Sequence, residues 1–210
     1  MYVPAVYAEP RVDVMLDFIA EHPFGILVGA TSRGLEASHI PFVLDRAHGA
    51  HGTLRAHVAR ANPHAALADG SPCLVIFSGP EAYITPSWYA TKREHGKVVP
   101  TWNYVAVHAT GTVRRMSDGE LRAHLEALTD QQESPRVHPW RVDDAPEPFI
   151  ANTMRAIVGF DIGIETLEGK WKVSQNRSDA DMQGVVDGLA QSGEPRDLEM
   201  ARLVDAFRSR

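Results

Sequence analysis

Several of the usual signposts of function are missing from this sequence. It has one cysteine, Cys73, so no internal disulfide can form and a reducing, cytoplasmic setting is expected. Cys73 opens the apolar run "CLVIF", which suits a small core residue better than a nucleophile. The opening "MYVPAVYAEPRVD" has no basic region followed by an apolar stretch, so no signal peptide is expected. No apolar run approaches the length that spans a bilayer. Positive charge is scarce as well. A formal net charge of −6 and a pI near 5.9 argue against a dominant footprint for nucleic acid or anionic membrane. There is no G-x-G-x-x-G opening a helix, no phosphate loop of the Walker kind, no H-E-x-x-H and no G-x-S-x-G. Ten histidines are present, yet His48, His51 and His57 match no strong ligand spacing and have no thiolate support, so no metal site is expected.

What is there reads as an ordinary folded chain. Its 210 residues, 44% hydrophobic and 23% charged, suffice for one large domain with a core of its own. Helical spacing of Val12, Met15, Leu16 and Ile19 predicts a helix from Pro10 to about His22. Strands are predicted over 24–31, 35–45, 53–59, 73–79 and 103–115, with "AYITPS" a further strand ending at Pro86. Gly79-Pro80 reads as a break, and "REHGK" (93–97) as an exposed link. Asn62-Pro63 is a helix start, with Gly70 as the stop. Ser117 with Glu120 is a capping box, and 131–149 reads as a polar surface excursion. A strand over 157–168 is expected to turn at Gly169, and helices follow from Ser178 and from Glu194-Pro195. The sum is an α+β, mainly β chain: a β-barrel core of six or more antiparallel strands with peripheral helices, read as one domain over 1–210.

Candidate chemistry concentrates between Gly79 and Gly111. Two of the four tryptophans (Trp88, Trp102) and three of the five tyrosines (Tyr83, Tyr89, Tyr104) fall there, interleaved with Thr85, Ser87, Lys92, Thr101 and Asn103. Flat rings among hydrogen-bonding groups suit a planar ligand with a polar edge; the alternative is aromatic packing between strands. Pro80, Pro86 and Pro100 interrupt the strands, which moves Trp88, Tyr89 and Trp102 to strand ends and loops, where ligands are met. In "HVARANP" (57–63), Arg60 precedes the helix start at Asn62, a place for a phosphate between a guanidinium and free backbone N–H groups. In "KWKVSQN" (170–176), Lys172 can neutralise an anion while Ser174 and Gln175 offer donors and acceptors; a strand end leading to the Ser178 cap is the other reading. "EASHIP" puts Ser38 and His39 in an otherwise apolar stretch. The last helix carries Arg196, Arg202, Arg208 and Arg210 among Asp197, Glu199 and Asp205, a solvated face before a DNA contact.

The motifs "ASHIPF", "HVARANP", "IFSGPEAYITPSWY", "VPTWNYVAVHATG" and "KWKVSQNRS", in that order, resemble the PaiB family of FMN-binding split-barrel proteins, often named as negative transcriptional regulators. The resemblance implies a six-stranded antiparallel split β-barrel of Greek-key type, with C-terminal helices over about 178–208 packed on it. It also implies a homodimer with flavin at the subunit interface. By position, Arg60 and Asn62 fall at the phosphate, while Ser38, His39, Thr85, Ser87, Trp88, Tyr89, Lys92, Trp102 and Asn103 fall along the groove. Ser174 and Gln175 fall at its rim, from the partner chain. Thr85 stands where the family commonly has serine, which keeps the hydroxyl. The implied cofactor is FMN, with haem as the alternative. The implied role is a regulatory or redox-sensing flavoprotein in negative regulation of transcription, against a flavin-dependent oxidoreductase or a haem-degrading relative.

Overall fold

Alternating burial along the strands dictates most of the architecture in the computed structural model, which describes residues 1–209. The elements are β1 (Ala8–Glu9), α1 (Val12–Glu21), β2 (Phe24–Thr31), β3 (Gly34–Pro41), β4 (Val43–Asp45) and β5 (Thr53–Ala59). There follow β6 (Pro72–Ile84), α2 (Thr91–His95), β7 (Thr101–Arg115), α3 (Asp118–Glu133), α4 (Glu147–Met154) and β8 (Ile157–Lys172), then α5 (Asp179–Ser192) and α6 (Pro195–Arg208). The strands form one sheet in the order β3-β2-β6-β7-β8-β5-β4, with β1 on β8. This is a mainly antiparallel sheet with helices, of split-barrel type, and it has eight strands where six were expected.

The chain divides into two compact units. A larger one comprises Val12–Phe77 and His108–Leu167; a smaller one comprises Met1–Arg11, Ser78–Val107 and the chain from Glu168 on. The divisions fall inside β6, β7 and β8, so no linker marks them in the sequence.

In the larger unit, β2 and β3 form a hairpin that turns at Ser32-Arg33, with Thr31 opposite Gly34. Gly34 adopts φ +107°, a conformation that glycine takes without a steric penalty. Strand β5 pairs with β4 at one edge and with β8 at the other, from Thr53 opposite Gly163 to Ala59 opposite Ile157. The core takes Leu27, Leu54, Val75, Phe77, Phe160 and Ile162, and the Phe42 and Phe77 rings meet edge to face at 5.5 Å. Met15, Leu16, Phe18 and Ile19 of α1 are buried. Ser117 caps α3 by accepting from Glu120 N while the Glu120 carboxylate accepts from Ser117 N, the expected capping box.

In the smaller unit, α5 and α6 pack together through Val185, Leu189, Met200 and Val204. Ser178 caps α5, and Gly193 in the left-handed region ends it. Arg208 pairs with Asp205 at 2.9 Å and Arg196 lies 3.7 Å from Glu81, so α6 spends these guanidiniums on carboxylates; Arg210 lies outside the described residues.

Five expectations about the elements need correction. Strand β6 runs through Gly79-Pro80. Its buried positions shift from odd numbers up to Phe77 to even numbers from Pro80, so the alternation changes phase instead of ending, as at a bulge. Strand β8 runs through Gly169, which pairs with Glu9 of β1 and has no positive φ. The stretch 35–45 is two strands, broken at the buried Phe42. The turn of helix after Asn62 ends at Ala66, short of Gly70, and part of the 93–97 link is helical as α2.

Candidate functional site

In the larger unit, the β3 pleat decides which side chains of "EASHIP" face inward. Ser38 is half-buried, and His39, one residue on, is exposed on the other face. The Ser38 hydroxyl lies 2.8 Å from Nδ1 of His64, and Asn62 donates Nδ2–H to the same hydroxyl at 2.9 Å. Asn62 also accepts from His64 N at 2.9 Å, so one amide caps the short Pro63–Ala66 helix and fixes the serine. His64 is fully buried, and burial pushes its pKa below the ordinary histidine value. A neutral ring results, beside a serine whose hydroxyl is held from both sides.

A cleft of about 360 Å³ adjoins this chain of bonds, lined by Ser32, Arg33, Arg60, Asn62, Pro63 and Ala65 among others. Arg60 donates Nε–H to the Arg155 carbonyl at 2.8 Å and an Nη–H to the Ile157 carbonyl at 3.1 Å. Both acceptors are neutral, so the charge is held in place without being cancelled. Arg33, in the β2–β3 turn, donates Nε–H to Glu36 at 2.8 Å. The backbone N–H groups expected to be free at the helix start are engaged: Asn62 N by the Ala59 carbonyl and His64 N by the Asn62 amide. The attraction for an anion therefore comes first from Arg60, since Glu36 already pairs with Arg33, with the Ser32 hydroxyl and the Asn62 amide as further polar groups of the lining. That donor set fits a phosphate dianion.

The smaller unit sorts the remaining residues into packed and open ones. Thr85 accepts from Ser87 N at 3.3 Å and caps the Pro86–Trp88 turn. Trp88 packs on α5, where only glycine fits: a Cβ at Gly188 would stand 2.3 Å from the indole, and one at Gly184 would stand 2.0 Å from the Trp88 carbonyl oxygen. Tyr89 is buried beneath the Arg177 guanidinium, 4.6 Å from its ring centre, and burial raises its pKa. Asn103, 1% exposed, donates Nδ2–H to the Ser174 hydroxyl at 2.9 Å. Ser174 sits at φ +66°, an uncommon conformation for a residue with a side chain. Gln175 accepts from Val173 N at 2.8 Å and donates to the Trp171 carbonyl, closing the turn after β8. Lys172 donates to Thr101 and to the Trp102 carbonyl, and burial lowers its pKa.

Open to a ligand are Trp102, 53% exposed, and Tyr83, 49% exposed, whose ring centres lie 5.8 Å apart at 69°. Lys92 is also exposed, and it donates to the Ser87 hydroxyl at 3.0 Å. Ser38, Asn62 and Arg60 thus belong to one neighbourhood in the larger unit. Asn103, Ser174 and Gln175 mainly satisfy one another or their backbone, and Trp88 and Tyr89 are packing groups. His64 and Arg33 were not singled out from the sequence. A histidine two residues past an Asn-Pro cap was the available sign for the first; the second depends on how the β2–β3 turn folds back.

Among the described residues, no group of three or more His, Cys, Asp or Glu is placed to hold a metal ion, and no helix is long and apolar enough to cross a membrane.

Comparison with known proteins adds a family. Residues 1–166 match the family model described as "Putative FMN-binding domain". An uncharacterized protein of Emericella nidulans is 35% identical over 230 residues, which span 92% of this chain and 92% of that one. The Bacillus subtilis protein called "Protease synthase and sporulation protein PAI 2" is 31% identical over 206 residues, spanning 98% and 97%. Among solved structures, the FAD and heme binding protein of Mycobacterium smegmatis shares the fold with a TM-score of 0.55 at 17% identity, over 84% of this chain and 79% of that one. On the family match and the near full-length Bacillus relative, this chain belongs to the PaiB-type FMN-binding family.

Proposed function

We propose that the protein is a homodimeric regulatory or redox-sensing flavoprotein that contributes to negative regulation of transcription, with the phosphate of its FMN taken by the Arg33–Arg60 cleft. The observation that carries this reading is the uncancelled Arg60 guanidinium, fixed by two backbone carbonyls beside the Ser38–Asn62–His64 chain. FMN supplies electron transfer when bound. The protein's part is to neutralise the phosphate through Arg60, with Arg33 shared between it and Glu36, and to hold the Ser38 hydroxyl in one orientation through Asn62 and neutral His64. In the smaller unit, Trp102 and Tyr83 offer exposed ring surface of the kind that stacks on a flat heterocycle, and Lys92 is an exposed cation beside Ser87. Each set is assigned by itself and is tested by its own variants.

The regulatory role draws support from the name of the Bacillus relative, which refers to protease synthase and sporulation. A homodimer is supported by the β2–β3 hairpin at the sheet edge, where Leu35 near the turn and Phe24 at the far end, opposite Pro41, are both exposed. The single, buried cysteine is compatible with a reducing cytoplasm. The absorbance spectrum of protein purified without added cofactor separates the readings. A flavin spectrum, with a dimer by light scattering, is expected; a Soret band would favour the haem alternative, and failure to take up FMN at micromolar concentration would remove the proposal. Consumption of NAD(P)H by the loaded protein would move the reading from sensor to oxidoreductase.

A further inference from the structure

Arg60 lines a second and larger cleft of the larger unit, of about 630 Å³, within the size range of sites for small organic ligands. Its apolar lining comes from Met116 after β7, Leu121 of α3, Met154 at the end of α4, and Ile157 and Val158 at the start of β8. Four arginines share it. Arg122 is neutralised by Glu126 at 2.8 Å and Glu147 at 3.0 Å, with Asp143 as a third partner. The guanidiniums of the other three have no carboxylate partner among the described residues, although the Arg115 backbone N–H donates to Asp69 at 2.7 Å. Arg60 is bound to two carbonyls, Arg115 to the carbonyls of Leu67 and Ala65, and Arg155 to the Asn152 side-chain oxygen at 2.8 Å. Of the two carboxylates in the lining, Glu147 is paired with Arg122, and Asp118 has no ion pair among the described residues. Held by neutral acceptors, these guanidiniums keep their charge and their remaining N–H groups for an incoming anion.

We propose that this cleft binds an amphipathic organic anion, with an apolar body against Met116, Leu121 and Met154 and an acidic group at the Arg115–Arg155 rim. The site goes beyond FMN binding and is separate from the phosphate cleft, although Arg60 lines both. An anion seated here would touch the residue assigned to the FMN phosphate, which makes it a candidate effector site.

The test uses the full chain and two fluorescent probes of similar shape: 1-anilinonaphthalene-8-sulfonate, which is anionic, and N-phenyl-1-naphthylamine, which is neutral. The wild type is expected to hold one equivalent of the sulfonate more tightly than the amine. Arg155→Glu, at an exposed position, should weaken the sulfonate about tenfold or more and leave the amine within about twofold, as loss of one charge-assisted contact implies. Ala151→Trp, which fills the cleft, should lose both probes while circular dichroism stays as in the wild type. No sulfonate binding to the wild type, or equal losses of both probes in Arg155→Glu, would overturn the proposal. So would one-for-one displacement of the sulfonate by FMN with a matching loss of FMN affinity in Arg155→Glu, since the cleft would then be the flavin's own. An FMN titration run alone reports on the cofactor reading independently, because failure there leaves the probe results standing.

Discussion

Mild acid should unfasten α3 from the sheet, and the reason is a pair of histidines. His57 of β5 and His124 of α3 meet through Nδ1 and Nε2 at 3.1 Å, with ring centres 5.3 Å apart. His124 is 1% exposed, and its Nδ1 has no hydrogen-bond partner. Burial, then the charge of a protonated His57, then Arg55 push its pKa down to about 4; burial alone lowers that of His57. A folded-state pKa below the unfolded one means that the unfolded chain binds the proton first. Stability from this group is therefore complete above the ordinary histidine value of 6.5 and is lost as pH falls from there toward about 4. The full difference corresponds to about 3 kcal/mol, of which about 2 kcal/mol is gone by pH 5, at about 1.4 kcal/mol per pH unit. Urea unfolding at pH 8, 6.5, 5.5 and 5 measures it. His124→Gln keeps a hydrogen-bonding side chain that does not titrate, so its stability should fall less over this range, by roughly the same 2 kcal/mol. Equal slopes for wild type and variant between pH 6.5 and 5 would refute the argument.

Other expectations follow from particular contacts. Trp88→Ala should lower stability by about 3 kcal/mol or more, because the indole fills the bare face of α5 at Gly184 and Gly188, while Trp102→Ala should leave the thermal midpoint nearly unchanged and weaken FMN binding. Asn103→Leu strands the buried Ser174 hydroxyl in its strained backbone setting and should cost about 1–3 kcal/mol in denaturant unfolding. Cys73 is buried, and its pKa is pushed up to about 12, so a thiol reagent at pH 8 should label it only after denaturation; fast labelling of the folded protein would contradict the packing of β6.

Much of this fold could be read from local chemistry. Strand β2 at 24–31 and β5 at 53–59 declare themselves by apolar content, and the Ser117 and Ser178 caps by their side chains. Proline and glycine misled where tertiary pairing overrode local preference. Pro80 is buried within a strand that shifts phase, and Gly169 pairs with Glu9 of β1 and makes no turn. Site residues were legible as residue types in a sequence order; their division of labour was not. Trp88 and Trp102 are chemically alike, and only the glycine face of α5 separates a packing indole from an exposed one. The partnership of Ser38 with His64 spans 26 residues and arises from the β3 pleat and the Asn62 cap together, which no periodicity encodes. The boundaries of the two compact units fall inside three continuous strands, where no change in composition marks them.

The most direct test of the central claim compares FMN with riboflavin, which carries the same ring without the phosphate, by flavin-fluorescence titration of wild type and Arg60→Ala. If the Arg33–Arg60 cleft holds the phosphate, the wild type binds FMN at least about a hundredfold more tightly than riboflavin, and Arg60→Ala loses about tenfold to a hundredfold for FMN alone, the worth of one or two charge-assisted hydrogen bonds. Equal affinity for the two flavins, or an equal loss for both in the variant, would contradict it.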